Sequence, residues 1–260
     1  MRIEPLLLLA CEKIKEDISF RLSTFTLFIQ PVLWLSIFLF LRETHVSVET
    51  KDGTIRYIDF LIIGIFVWRI ISFIMGKLSI SARVSGSVLR AIAISPSGKR
   101  ILLASSIIST LAIAMMIGAC ILFTGVLIYN FSVYLNQIIL ASFVLFLIII
   151  IHTGIAIVII SSPLHIKDAK SVGFITTTVI GLLSGVFFPV ELFPSPMNDI
   201  AYMLPLTQGL ALLRELTLFS SVVPNWNLFY ALIAEAIAFF IIGLILYERS
   251  TNNILAFYQY

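Results

Sequence analysis

Charged residues are scarce in this sequence, and long apolar runs are abundant. Only 12% of the 260 residues are charged, whereas 60% are hydrophobic and the mean hydropathy is +1.08. Soluble domains carry about 25% charged residues because their surfaces are hydrated. The composition therefore excludes a soluble domain, and the apolar runs exclude a disordered chain. The net charge of +3 is too small for a nucleic-acid-binding protein, so we expect no nucleic-acid partner.

Residues suited to metal, redox or nucleophilic chemistry are also few. The two cysteines, Cys11 and Cys120, are far apart and form no CxxC motif. The sequence contains no GxxxxGK[ST] phosphate-binding loop. We predict that the chain is not an enzyme, has no ATPase site and binds no metal or cofactor. His152 lies alone in an apolar run, which favours interhelical hydrogen bonding over catalysis.

Six apolar runs are each long enough to cross a bilayer core of about 30 Å as a helix. They cover about residues 24–41, 58–76, 101–128, 138–160, 172–188 and 228–247. The sequence therefore predicts an all-α polytopic membrane protein with six transmembrane helices.

Basic residues are concentrated in alternate loops. Of the 17 Lys and Arg residues, twelve fall in one set of loops and termini and four in the other. Because cytoplasmic loops carry the excess of basic residues, both termini are predicted to be cytoplasmic. The expected location is the cell (plasma) membrane, with multiple passes.

The N-terminal residues 1–22 have the pattern of an amphipathic helix. Apolar residues recur at helical spacing, while charged residues, among them Lys13, lie on other faces. The apolar stripe consists of Ile3, Leu7, Cys11, Ile14 and Ile18. This pattern predicts a helix lying in the membrane interface with its charges in water; the alternative is an extension of the first span.

Two charged residues lie inside predicted spans, where ionised groups are costly unless paired or hydrated. Arg69 and Glu235 are at similar predicted depths and are close enough to pair. Alternatively, Glu235 reaches the outer interface and Arg69 faces a wet cavity. In the fifth span, Gly181 and Gly185 form a GxxxG step, which predicts close packing in a dimer.

The region between the fifth and sixth runs is apolar but contains five prolines, which exclude one continuous helix. We predict a re-entrant helical hairpin over about residues 189–214, entering the outer leaflet and packed against protein. Its water-facing ends are expected at Glu191, Asp199, Arg214 and Glu215.

The order of these parts, together with two motifs, resembles the permease subunit of type 2 ABC exporters. The more specific motif is SGVFFPVELFPSPMNDIAYMLPLTQGLALLRE at 184–215, which is similar to that family's signature of Ser-Gly, Phe-Phe-Pro, Pro-Leu-Thr and a late Arg. The second is the loop RVSGSVLRAIAISPSGKR at 83–100, in which a glycine and Ser-Pro follow a charged residue. The family's loop commonly has acidic residues around the glycine, and this loop has none.

The resemblance implies an interfacial helix over 1–22 followed by a six-span permease domain over 23–260. It implies a coupling loop at about 77–100, which docks on a cytoplasmic ABC ATPase subunit that carries ATP and Mg. The alternative is that the five basic residues of the loop reflect only the positive-inside rule. The coupling residues are expected to be Arg83, Gly86, Arg90, Ser95 and Pro96. The exit gate is expected to consist of Phe187, Phe188, Pro189, Pro205 and Arg214.

The function predicted from these features is ATP-driven export. A second permease chain, identical or different, is the expected partner within the membrane lipids. Because few polar residues lie in the spans, the substrate is expected to be an amphiphile, such as a lipid-linked glycan, a lipid or a hydrophobic drug. The alternatives are half of a secondary transporter and an intramembrane lipid-modifying enzyme.

Overall fold

The computed structural model describes residues 3–19, 25, 29–30, 32–33, 35–37, 47–50, 53–81, 98–162, 166–219 and 224–257. Most of these residues are helical, and one small antiparallel hairpin precedes the long helices. In chain order the elements are α1 (Ile3–Ser19), β1 (Ser47–Thr50), β2 (Gly53–Arg56), α2 (Tyr57–Ser81), α3 (Gly98–Tyr129), α4 (Ile138–Ser161), α5 (Ile166–Leu183), a 3-10 turn (Val190–Leu192), α6 (Met197–Tyr202), α7 (Pro205–Leu218) and α8 (Trp226–Phe257).

Four helices in the described part of the chain are long and apolar enough to cross a membrane. They contain the segments Tyr57–Leu78, Arg100–Tyr129, Ile138–Ser161 and Trp226–Ser250. These are the predicted second, third, fourth and sixth spans. The predicted first span, 24–41, falls largely outside the described residues.

The bounds of the predicted fifth span are wrong. The run at 172–188 was expected to be one helix, but α5 covers Ile166–Leu183. Its first turn contains Asp168, and it ends before Gly185, whose φ of 73° is left-handed. A residue in this conformation commonly ends a helix, and glycine adopts it without steric cost. The helix therefore starts earlier and stops sooner than hydropathy indicates.

The all-α prediction omitted the hairpin, in which Ser47 pairs with Arg56 and Thr50 with Gly53. Arg56 at its end forms an ion pair with Asp59 at 2.8 Å. It also donates to the carbonyl of Asn130 at 3.2 Å, just beyond the end of α3. The hairpin thus lies at the end of the bundle where α2 begins and α3 ends, which we call the hairpin end.

The helix directions follow from contacts at both ends. Arg100, near the start of α3, pairs with Glu248 of α8 at 2.8 Å, at the end opposite the hairpin. Phe143 of α4 and Phe229 of α8 have ring centroids 5.8 Å apart, each near the start of its helix. Helices α4 and α8 therefore run in the same direction, away from the hairpin end.

Helix α2 is at the centre of the bundle and packs on α3, α4, α5 and α7. Small residues allow several of these close approaches. A Cβ on Gly118 of α3 would lie 2.8 Å from Ile70 and Phe66 of α2. In a membrane, such tight van der Waals contact is a main source of helix association, because lipid is as apolar as the side chains.

Helix α1 packs on α3 through a contact that the amphipathic pattern does not predict. Ala10 is buried, and the Lys13 ammonium donates to Ser106 Oγ at 2.5 Å. Lys13 was expected to face water, but it reaches Ser106 because the two helices cross at this point. Leu7 and Leu8 are exposed on the outer side of α1, so placement in the membrane interface stays a prediction.

Candidate functional site

The segment from Ser184 to Leu218, called the proline-rich segment below, connects the end of α5 to the region before α8. Pro189 and Pro196 each precede a short helix, and Pro205 is at the first position of α7. Proline is tolerated at these positions because the first helical N–H groups have no intrahelical partner. The prolines therefore divide the segment into short helices, as the sequence predicts.

Arg214 of α7 connects three parts of the bundle. Its Nη2 donates to the carbonyl oxygens of Gly185 at 2.9 Å, Phe60 at 3.1 Å and Val186 at 3.4 Å. Its guanidinium carbon lies 3.4 Å from the centroid of the Phe60 ring, a cation–π contact. α7, α2 and the turn after α5 are thereby held together by one side chain.

The expectation that Arg214 marks a water-facing end is wrong, because the residue is 9% exposed. Buried backbone carbonyl oxygens need hydrogen-bond donors. Gly185 and Val186, in the turn after α5, present two such oxygens, and Arg214 donates to both. Glu191 and Asp199 are exposed, as expected.

Gly64 of α2 makes this arrangement possible, and sequence reasoning missed it. A Cβ at this position would lie 2.3 Å from the Val186 carbonyl oxygen and 2.9 Å from Arg214 Nη2. Both distances are too short for a real side-chain atom, so the turn after α5 requires glycine here. Its sequence context is an ordinary apolar run, which gives no signal of this role.

The end of α5 lies inside the bundle and not at its surface. Arg214 and Val186 meet α2 at Phe60 and Gly64, about 5–10 Å along the helix from its start at Tyr57. The chain then returns toward the hairpin end, where the Tyr57 hydroxyl donates to the Phe187 carbonyl at 2.7 Å. The proline-rich segment therefore occupies the space that a longer fifth helix would fill.

The predicted gate residues are positioned differently from one another. Phe187 packs edge-on against Trp68, with ring centroids 5.4 Å apart. Phe188 is 56% exposed and, with Pro189, lines a cavity of about 400 Å³. Pro205 begins the helix that carries Arg214.

This cavity lies at the hairpin end and opens to the surface. Its lining residues are Ser47, Val48, Tyr57, Phe188, Pro189, Glu191 and Leu192. The Tyr202 hydroxyl donates to Glu191 at 3.1 Å. Partial burial, followed by the charge of Glu191 and this hydrogen bond, raises the pKa of Tyr202 above its ordinary value.

Gly181 and Gly185 both have contacts within the chain. A Cβ on Gly181 would lie 2.2 Å from Trp68 Nε1. Gly185 lies beyond the end of α5 and would place a Cβ 2.9 Å from Val190. The two glycines therefore do not form a GxxxG face on one helix, and their part in contacts between two chains stays a prediction.

The polar residues within the spans do not form the expected pairs. Arg69 donates to Gln30 Oε1 at 3.1 Å, and Glu235 is in α8, which packs on α4 and α7. Across the described residues, no ion pair joins Arg69 to Glu235. His152 Nδ1 donates to the Ile148 carbonyl of its own helix at 2.7 Å, so the predicted interhelical bond is not made by this nitrogen.

The coupling residues predicted in the loop at 77–100, Arg83, Gly86, Arg90, Ser95 and Pro96, lie outside the described residues. Among the described residues, no group of His, Cys, Asp and Glu side chains is arranged to hold a metal ion.

Long apolar helices around a central α2, with a proline-divided segment packed at one end, define a multi-pass membrane protein. A family model described as ABC-2 type transporter matches residues 7–218. The chain therefore belongs to the ABC-2 type transporter family, as a transmembrane permease component. No curated protein matches the sequence.

Proposed function

We propose that this chain is the membrane subunit of an ATP-driven exporter. In this proposal it pairs with a second permease chain and with separate cytoplasmic ATPase subunits, and it moves an amphiphile from the cytoplasm or the inner leaflet to the outside. The observation that carries the proposal is the family match over residues 7–218. The excess of basic residues in alternate loops supports cytoplasmic termini and an outside location for the hairpin end.

The loop at 77–100 is proposed to receive the motion of the ATPase. It carries five basic residues and no acidic residue, so its charge suits an acidic groove on the partner. ATP binding by the partner would close the ATPase subunits and displace this loop together with the attached ends of α2 and α3. The ATP and Mg would be bound by the partner chain.

The proline-rich segment is proposed to form the exit gate as a re-entrant helical hairpin. The segment contacts α2 at Phe60 and Gly64, about 5–10 Å along the helix from its start, which supports a position within the outer leaflet. Backbone that leaves a regular helix is tolerated at membrane depth only when protein partners satisfy it. Arg214 provides such a partner for two of the carbonyls in the turn after α5.

The test is copurification followed by transport. An affinity-tagged chain should retain an ATP-hydrolysing subunit when membranes are solubilised, and Ala at both Arg83 and Arg90 should reduce the amount retained. Arg249→Ala is the matched control, because Arg249 is exposed and lies in α8, outside this loop.

Transport is then measured in inside-out vesicles with a fluorescent amphiphile. Uptake that requires ATP hydrolysis supports the proposal. Uptake driven by a proton gradient without ATP would indicate a secondary transporter, and chemical conversion of the lipid would indicate an enzyme.

A further inference from the structure

Helix α2 is exposed along one stripe that starts near its middle. From Ile58 to Val67 its residues are buried, and beyond this point partly exposed positions recur in pairs, four residues apart. The stripe consists of Trp68, Arg69, Ser72, Phe73, Gly76 and Lys77. Residues four apart lie on one helix face, so these positions form a continuous surface running away from the hairpin end.

Arg69 is near the middle of the span Tyr57–Leu78 and has no acidic partner in the part of the chain that the structure describes. Its Nη2 is bound by the Gln30 side chain, which is neutral. Its Nε is buried and has no hydrogen-bond acceptor. An unneutralised guanidinium at this depth is costly, and such residues mark substrate pathways in membrane proteins.

The same face carries a second polar side chain and a glycine. The Ser72 hydroxyl is buried without a hydrogen-bond partner. A Cβ added to Gly76 would meet no atom of the described residues within 4 Å, whereas one on Gly64 would lie 2.3 Å from a carbonyl oxygen. Among the described residues, α2 is therefore loosely surrounded at Gly76 and tightly packed nearer the hairpin.

We propose that Arg69, with Gln30 and Ser72, binds the anionic group of the transported amphiphile, and that the apolar part of the substrate lies along Phe73. The proposal rests on the proposed function and narrows its substrate class to phosphate- or carboxylate-bearing amphiphiles. A guanidinium presents a planar fork of donors that matches these anions. In the proposed orientation the stripe runs toward the inner leaflet, from which such a lipid would enter.

The experiment measures lipid binding by native mass spectrometry of the purified complex. The probes are phosphatidate and diacylglycerol with identical acyl chains, which differ only in the phosphate, and inorganic phosphate in excess serves as a competitor. The variants are Arg69→Gln, which removes the charge at similar length, and Arg69→Lys, which keeps it. Arg249→Gln is the control because it removes an exposed charge on α8, outside both the stripe and the loop at 77–100.

We expect wild type and Arg249→Gln to prefer phosphatidate by about tenfold, the effect of one charge-assisted hydrogen bond. Arg69→Gln should lose this preference, and Arg69→Lys should keep part of it. An unchanged preference in Arg69→Gln would overturn the proposal. Full displacement of phosphatidate by inorganic phosphate would overturn the proposal that the ligand is an amphiphile, since the site would then bind a free anion.

Two further readouts separate this proposal from others. If Arg69→Gln dissociates the permease pair without changing lipid preference, the partner of Arg69 is a carboxylate of the second chain and the proposal is wrong. ATPase copurification and ATP-driven uptake are measured on the same wild-type preparation. If wild type shows neither ATPase copurification nor ATP-driven uptake, the exporter function is rejected. The anion site is still supported if wild type prefers phosphatidate and Arg69→Gln does not.

Discussion

Replacing Arg214 should separate the proline-rich segment from α2 and α5. In Arg214→Ala, the carbonyl oxygens of Gly185 and Val186 lose the donor seen in the structure, and Phe60 loses its stacked cation. Because Arg214 is 9% exposed, water has little access to these oxygens to replace the lost donor.

The magnitude follows from the contacts. A hydrogen bond from a charged donor contributes about 1.5–3 kcal/mol, and a desolvated cation–π contact about 2 kcal/mol. These terms do not add fully, because one Nη2 group is shared among three oxygens. We expect Arg214→Ala to lower the free energy of unfolding by about 3–5 kcal/mol, similar to the loss of one partner of a buried ion pair.

Thermal unfolding of the detergent-solubilised protein measures this loss. For a chain of this size, the expected decrease in apparent melting temperature is on the order of 10 °C. Arg214→Lys should lie between wild type and Arg214→Ala, because an ammonium keeps the charge but not the planar stacking on Phe60. Arg100→Ala, which removes an exposed ion pair, should change little. If Arg214→Ala has the same apparent melting temperature as wild type, the proposed anchoring role of Arg214 is refuted.

Two other predictions follow from the packing and the orientation. Gly181→Ala should destabilise the protein by about 1–3 kcal/mol in the same melting assay, because its Cβ would meet Trp68 at 2.2 Å. Gly76→Ala, whose Cβ would meet no atom of the described residues within 4 Å, should have no such effect. Equal melting temperatures for the two variants would contradict the Trp68 packing. In a background without native cysteines, a cysteine at exposed Asp199 should react with a membrane-impermeant thiol reagent in intact cells, whereas one at exposed Arg249 should not. Labelling in the opposite pattern would reverse the proposed orientation.

The long spans were predictable because their signal is local and strong. About 20 consecutive apolar residues leave few alternatives to a membrane helix. The end of α5 was harder, because Gly185 is one glycine among several in an apolar run. The hairpin did leave a signal, namely Asp52-Gly53 flanked by β-branched residues, which is typical of a hairpin turn.

The role of Arg214 could not be predicted from the sequence. Charge alone indicates a water-facing residue, since ionised groups are rarely buried. Its partners are far away in sequence, Phe60 by 154 residues and Gly185 by 29, and they are backbone oxygens. Any residue has such an oxygen, so no side-chain pattern identifies the acceptors. The resemblance picked out the arginine as important, and only the three-dimensional structure gives the reason.

The packing of α4 on α8 limits where the protein can change shape. Gly154 would place a Cβ 2.6 Å from the Phe239 backbone, and Gly243 would place one 2.8 Å from the Gly154 carbonyl oxygen. With the main chains in contact, sliding one helix past the other would first require prying them apart. We therefore expect α4 and α8 to move together as one rigid body during a transport cycle. The hinges would then lie outside this helix pair.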